Sequence, residues 1–269
     1  MKNITFWSNA SGKSGASGNM LAVSTMTTVL YSLKTLLVQL DKESNPLTLA
    51  FESGKSSNLL NEEFSFYNRK GLDEVCDKSK IMTIGKEEIY DNSVNVKNTN
   101  LYYMPPSRKS ETELTKELSQ EFLQSLLQGM KAFESINFID CIHGKSEIRD
   151  ILFQKSDMVV INLFQGMEYP EEILEDPYIR GKALFVVGRY DADSRENIEN
   201  IRRKYNIEKT SIGVVPYNIH FHDAMNSGKL VQFITKGIFA KKGDVNYAFI
   251  MELFDTTNMI LRRAGYEGL

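Results

Sequence analysis

Gly12, Gly15 and Gly18 recur at intervals of three within Ser11 to Met20, which reads SGKSGASGNM. A glycine-rich turn of this kind does anion chemistry when a strand enters it and a helix leaves it. Successive backbone N–H groups then converge on one point, and the helix dipole adds about half a positive charge at the first turn. Ile4-Thr5-Phe6-Trp7 supplies an apolar strand before the turn, and Leu21 to Leu36 an apolar helical stretch after it. A phosphate loop ordinarily carries a lysine for the β- and γ-phosphates, followed by a serine or threonine for Mg²⁺. Those two positions hold Gly18 and Asn19. The scaffold that grips phosphate is kept and the lysine that helps transfer it is lost. The plainer alternative is a tight strand-to-helix turn with no ligand.

The register of the loop follows from geometry. Gly12-Lys13-Ser14 also spells the end of a phosphate loop, but its opening glycine would then fall on Trp7, inside the strand. With Gly12 as the opening glycine, the strand ends near Ser8 and the helix starts near Gly18.

Other chemistry-bearing residues stand at the ends of apolar runs. Asp41 closes Leu36 to Asp41, and Asp140 closes Ile136 to Asp140, followed by Cys141-Ile142-His143-Gly144. A carboxylate at a strand tip beside a phosphate loop normally bonds the Mg²⁺ shell, and Gly144 suits a mobile switch segment. The bland reading of both acids is a strand terminus capping the next turn. Val187-Gly188-Arg189-Tyr190 and Val214-Val215-Pro216-Tyr217-Asn218 end two more runs, and His220, His222 and Asp223 follow. Those last three are metal-capable types. Their i, i+2 spacing suits one face of a strand, no third ligand is anchored elsewhere, and polar loop residues are the simpler description.

The elements that must position these groups alternate between strand and helix. β-type runs are Thr35 to Asp41, Leu47 to Phe51, Asn100 to Met104, Ile136 to Cys141, Asp157 to Phe164, Ala183 to Tyr190 and Thr210 to Tyr217. Helical spacing marks Glu111 to Phe133, Ser194 to Tyr205 and a closing helix, Tyr247 to Ala264; residues 53–95 are polar, with a short helix at Gly71 to Val75. Near-continuous apolar strands alternating with helices predict an α/β fold with three layers, a mostly parallel twisted sheet covered on both faces. No repeat or linker interrupts it, so residues 1–269 read as one domain. Ligands in such sheets sit beyond the carboxyl ends of the strands.

The loop resembles that of the ParA/MinD family of deviant Walker P-loop ATPases, whose pattern runs SGKGGVGKTT. Ser11, Gly12, Lys13 and Gly15 match it; Ser14, Ala16, Ser17, Gly18, Asn19 and Met20 depart from it. The resemblance implies a P-loop NTPase fold, ATP or ADP with Mg²⁺ held over Gly12 to Met20, and a homodimer formed around nucleotide. Lys13 falls on the extra lysine that reaches across the dimer interface. Asp41 falls on the second aspartate of a D-x-D pair that helps place the attacking water, the first being Gln39 here. Asp140 resembles the Walker B aspartate, leaving Asn19 and Asp140 as the candidate metal ligands. Pro216, Tyr217 and Asn218 lie on the segment that cradles adenine, and Arg189 stands where relatives often carry an adenine-contacting Asn.

Composition bounds the rest. With 42% hydrophobic residues the chain can bury a substantial core, and a net charge of −3 argues against a globally basic nucleic-acid binder. Lys236, Lys241, Lys242, Arg262 and Arg263 offer a local patch for non-specific DNA, against the commoner case of scattered surface cations. Cys76 and Cys141 have no metal or redox spacing and suit a reducing cytoplasm. No run approaches the roughly 20 apolar residues that span a bilayer.

The ParA/MinD resemblance implies a cytoplasmic switch or scaffold, polar or nucleoid-associated, that positions or assembles a cargo such as a plasmid, a chromosome or a pilus machine. The atypical CpaE/TadZ type also tolerates altered phosphate loops. Hydrolysis is expected to be weak or absent, and a regulatory or cargo protein is implied as partner. The competing expectation is a nucleotide-free module that keeps the fold and dimerises through apolar surface. A metabolic enzyme of related fold would need an intact loop and a substrate carboxylate or cysteine site, and neither is visible.

Overall fold

In the computed structural model, residues 2–10, 12–40, 46–52, 70–166, 168–169 and 171–266 are described. The strands are β1 (Asn3–Trp7), β2 (Thr35–Gln39), β3 (Val94–Asn95), β4 (Leu101–Met104), β5 (Ile136–Asp140), β6 (Met158–Leu163), β7 (Ala183–Tyr190) and β8 (Ile212–Pro216). They form one sheet in the order β3-β4-β2-β5-β1-β6-β7-β8. All pairings are parallel except β3 with β4 at one edge.

Strand residues send alternate side chains to opposite faces. On β1, Ile4 and Phe6 join one apolar cluster while Trp7 joins the other; on β6, Met158 and Val160 divide from Val159, Ile161 and Leu163 in the same way. The first face packs on helices Ala16–Tyr31, Leu230–Gly237 and Tyr247–Arg263. The second packs on Leu72–Ser79, Gln120–Ala132, Glu147–Lys155 and Ile198–Tyr205. Covering both faces is why the strands read as continuous apolar runs. The three-layer α/β/α expectation holds, and β1 lies centrally, between β5 and β6.

Several boundaries differ from the sequence reading, each for a local reason. Leu47 to Phe51 is not a strand but part of the helix Pro46–Phe51. Its buried Leu47 and Ala50 are three apart, a helical spacing, and proline favours a first helical turn. Glu111 to Phe133 divides into Glu111–Glu117 and Gln120–Ala132. Ser110 and Ser119 each cap the helix that follows, accepting from Glu113 N at 3.3 Å and Phe122 N at 3.2 Å. The first helix begins at Ala16 and stops at Tyr31, because Ser32 turns left-handed with φ 52°. Among the described residues no helix is long and apolar enough to cross a membrane.

Lys241 and Lys242 precede the helix Tyr247–Arg263 and Arg262 and Arg263 end it. A helix of that length separates its ends by about 25 Å, so the two arginines stand apart from the turn that carries Lys241 and Lys242, while Lys236 lies in the last turn of Leu230–Gly237.

Candidate functional site

The turn after β1 is built on two left-handed glycines, Gly12 at φ 66° and Gly15 at φ 67°. A Cβ on Gly12 would meet nothing within 4 Å, so backbone conformation rather than space calls for glycine there. Gly15 is the N-cap of Ala16–Tyr31, and the first turn of that helix carries no acidic side chain. First-turn N–H groups have no acceptor within their own helix. Here they open toward a cleft with no carboxylate of their own helix to satisfy them.

That cleft encloses about 510 Å³ and is lined by Gly12, by Ser14 through Asn19, by Asp140 and Arg189, and by Pro216 through Asn218. Its volume lies within the roughly 300–1,000 Å³ of small-molecule sites. Hollows of about 620 and 660 Å³ occur elsewhere, but neither gathers glycine-loop amides with a strand-end carboxylate. Residues from positions 12, 140, 189 and 216 therefore meet beyond the carboxyl ends of β1, β5, β7 and β8. Two expected members stand outside. Lys13 is exposed and does not line the cleft. Met20 is fully buried in the apolar cluster between the sheet and the helices Ala16–Tyr31, Leu230–Gly237 and Tyr247–Arg263, which corrects its assignment to the ligand site. Asp41 lies outside the described residues.

Two observations describe how the cradle is built. Ser14 is 1% exposed, lines the cleft, and among the described residues its Oγ has no hydrogen-bond partner. A buried hydroxyl without a partner costs about 1–3 kcal/mol, which a phosphate oxygen would offset. The loop is also fixed from below. Asn19 Nδ2 donates to Ser14 O at 3.2 Å and to Asn162 Oδ1 at 2.9 Å, and Asn162 Nδ2 donates to Trp7 O at 3.2 Å. Asn19, expected as a metal ligand, thus braces the loop with its amide nitrogen. Its Oδ1 stands 3.9 Å from where a Gly15 Cβ would lie, leaving that oxygen alone for a cation.

Position 18, where the family pattern has lysine, faces hydrophobic groups. A Cβ there would meet Met225 Cε at 3.6 Å, Met225 Sδ at 3.7 Å and Phe221 Cε1 at 4.0 Å. Both residues belong to the helix Ile219–Asn226, whose N-cap Asn218 accepts from Phe221 N at 2.8 Å. His220 and His222 sit on this helix rather than on a strand, so their i, i+2 spacing turns them apart. His220 Nδ1 is 3.0 Å from Asn246 Oδ1, and His222 Nδ1 is 3.0 Å from Asn226 Nδ2. Among the described residues no group of three or more His, Cys, Asp or Glu is placed to hold a metal ion. Cys76 is not part of this chemistry: burial, then the Glu117 carboxylate, push its thiol up to about 12.

The sequence reading missed three residues that shape the site. Trp7 donates from Nε1 to Gly144 O at 2.8 Å, and Gly144 N donates to Ser8 O at 3.0 Å, so the segment after Asp140 is tied to the end of β1. Asn162, in the middle of an apolar strand, is the brace for Asn19; a buried amide in such a run was its signal. Gly188 packs against the loop so tightly that a Cβ would lie 1.9 Å from Ser14 O and 2.5 Å from Asn19 Nδ2.

No protein-family model matches the chain, and no curated protein matches it. Solved structures do. A ParA family ATPase from Chlorobium tepidum TLS is 13% identical, with TM-score 0.67 over 96% of this chain and 98% of that one. A plasmid partition protein from Borrelia burgdorferi B31 bound to AMPPNP is 15% identical, with TM-score 0.65 over 97% and 99%. The septum site-determining protein MinD from Pyrococcus horikoshii OT3, complexed with Mg-ADP, is 13% identical, with TM-score 0.65 over 98% and 97%.

Proposed function

We propose that this chain, which has the fold of the ParA/MinD ATPases, is a nucleotide-binding switch or scaffold that positions or assembles a larger cargo. The observation that carries the reading is the single cleft. The glycine loop, the strand-end Asp140 and the Pro216-Tyr217-Asn218 segment all line it, although more than 200 residues separate its ends.

In this reading the amides of Gly15 through Gly18 and the Ser14 hydroxyl hold the phosphates, and Pro216 through Asn218 border the base. Asp140 would orient the shell of a magnesium ion, with Asn19 Oδ1 as the other candidate oxygen. A bound nucleoside triphosphate supplies a polyphosphate whose hydrolysis can be read as a switch. Asp41 is assigned to placing the attacking water, and Lys13, exposed and outside its own cleft, to the nucleotide of a second copy. Losing a contact to the charge of the transition state costs about 10²–10³ in rate, and Gly18 offers no replacement. Turnover is therefore weak, and the chain works by binding. The CpaE/TadZ type of pilus-assembly protein is the variety this loop suits best, acting as a homodimer with a regulatory or cargo protein.

A second reading, a nucleotide-free module that dimerises through apolar surface, draws on the cleft mouth. Phe221 and Met225 face position 18, and Tyr217 and Ile219 beside them are 61% and 50% exposed. Calorimetric titration with ATP and ADP, with and without Mg²⁺, separates the two when paired with light scattering. Saturable heat and ligand-dependent dimerisation support the switch. No heat at millimolar ATP, with a dimer already formed, supports the module.

A further inference from the structure

Arg189 has been placed by resemblance near the base, yet its surroundings are those of a phosphate ligand. It is the one lysine or arginine among the described residues that line the cleft. Its backbone is unusual. Arg189 is left-handed, with φ 49°, and the pairing of β7 with β8 slips in register between Gly188 and Tyr190. A bulge at a strand end re-aims the side chain it carries, and a left-handed residue with a side chain costs roughly 1–2 kcal/mol unless the surroundings hold it. The residue before it, Gly188, has no side chain, which lets the strand end lie directly on Ser14 O. Together these features carry the Arg189 side chain over the phosphate loop. Its Nε and Cγ stand 3.7 and 3.8 Å from where a Gly15 Cβ would lie.

The guanidinium is also unengaged. Arg149 pairs with Asp150 and Glu172, Arg202 with Glu199, and Arg263 bonds Gly181 O and Ser211 Oγ. Among the described residues Arg189 makes no such bond. An uncommitted arginine beside orphan helix amides and the unpartnered Ser14 Oγ is arranged for an anion with several oxygens, which its planar fork can take two at a time.

We infer that Arg189, from the end of β7, supplies in cis the phosphate-binding cation that the loop lacks at Gly18, and that the ligand it meets is a polyphosphate chain rather than a base. This rests on the nucleotide reading above. It assigns the missing charge to a different element, entering the cleft from the sheet instead of from the first turn of the helix.

The test uses the full chain, its Arg189→Ala and Arg189→Lys variants, and two probes, ATP and inorganic tripolyphosphate, titrated calorimetrically in magnesium buffer. Arg189 is exposed and unbonded, so both variants should melt within a degree or two of the parent. Arg189→Ala is expected to weaken both probes by a similar factor, roughly tenfold to a hundredfold for a lost charged hydrogen-bonding partner. Arg189→Lys should recover part of that. Loss of ATP affinity with tripolyphosphate unchanged would place Arg189 on the base and overturn the inference. Unchanged affinity for both probes would overturn it too, leaving the nucleotide reading standing. If the parent protein takes up neither probe, the nucleotide reading falls and this inference with it.

Discussion

Trp7 and Gly144 are joined by a 2.8 Å hydrogen bond from the indole Nε1 to the carbonyl oxygen, which fastens the loop after Asp140 to the end of β1. The indole is 1% exposed, meets Phe153 edge-on at 5.4 Å, and has the Arg149 guanidinium 5.6 Å from its ring centre. Trp7 is the sole tryptophan of the chain. Its emission therefore reports on one place, the segment that carries Asp140 and His143 into the cleft. Titration with ATP is expected to shift or quench that emission saturably, tracking the calorimetric curve. A flat fluorescence response alongside measurable heat would mean that this loop does not respond to ligand. Trp7→Phe should lower stability by roughly 1–3 kcal/mol in urea melts, from the lost bond and the smaller ring.

Gly188 and Gly12 offer a matched pair. A methyl group at 188 collides with the backbone oxygen of Ser14, which cannot rotate away, whereas one at 12 enters open space and strains only the backbone. Gly188→Ala is expected to cost roughly 1–3 kcal/mol and to shift the loop enough to abolish phosphate binding. Gly12→Ala should cost about 1–2 kcal/mol for the left-handed conformation and only weaken binding. Denaturant melts and tripolyphosphate titrations of the two variants compare them directly. Equal effects would show that the contact between β7 and the loop is not what shapes the site.

The contrast between these glycines marks how far the sequence reaches. Gly12 and Gly15 were legible because a strand, a turn and a helix start are local events written in one short segment. Gly188 was not, since its reason is Ser14, a residue more than 170 positions away. Asn162 was hidden in the same way: a polar residue in an apolar strand has no assignable partner until the sheet order puts β6 beside β1. The strands themselves were readable as long apolar runs, and the same rule misread Leu47 to Phe51, where a few apolar residues fit helix and strand alike. Met20 was drawn into the site by motif alignment. One residue beyond Asn19, the helical turn has already pointed it into the core.

Asp157 couples acid stability to the base of β1. Burial opposes its charge. A bond from Asn3 N at 2.9 Å, with Lys131 at 3.2 Å and Lys2 at 3.6 Å, outweighs that and holds the carboxyl below its usual range. A depressed folded value means that the stabilisation is present above the unfolded value, near 3.8, and is lost as pH falls through the folded one. Asp157→Asn is therefore expected to melt earlier than the parent at neutral pH, by roughly 1–2 kcal/mol. The gap should close progressively below about pH 4. A difference that persists unchanged to pH 2 would assign the effect to packing rather than to charge.

Gly18 gives the most direct test of why this loop should turn over slowly. A side chain at that position makes ordinary contacts of 3.6–4.0 Å with Met225 and Phe221, so a lysine can enter without displacing backbone. Replacing glycine within the helix also favours folding by roughly 0.5–1 kcal/mol. Gly18→Lys is thus expected to fold at least as well as the parent. If a transition-state charge contact is what the chain lacks, phosphate release from ATP should rise by about 10²–10³. Asn19→Thr, which restores the other family residue, removes the brace to Asn162 and Ser14. It should lower the melting temperature without accelerating hydrolysis on its own. A Gly18→Lys protein that binds ATP tightly yet releases phosphate no faster than the parent would move the block elsewhere, to the bracing Asn19 or to the water-placing position at Asp41.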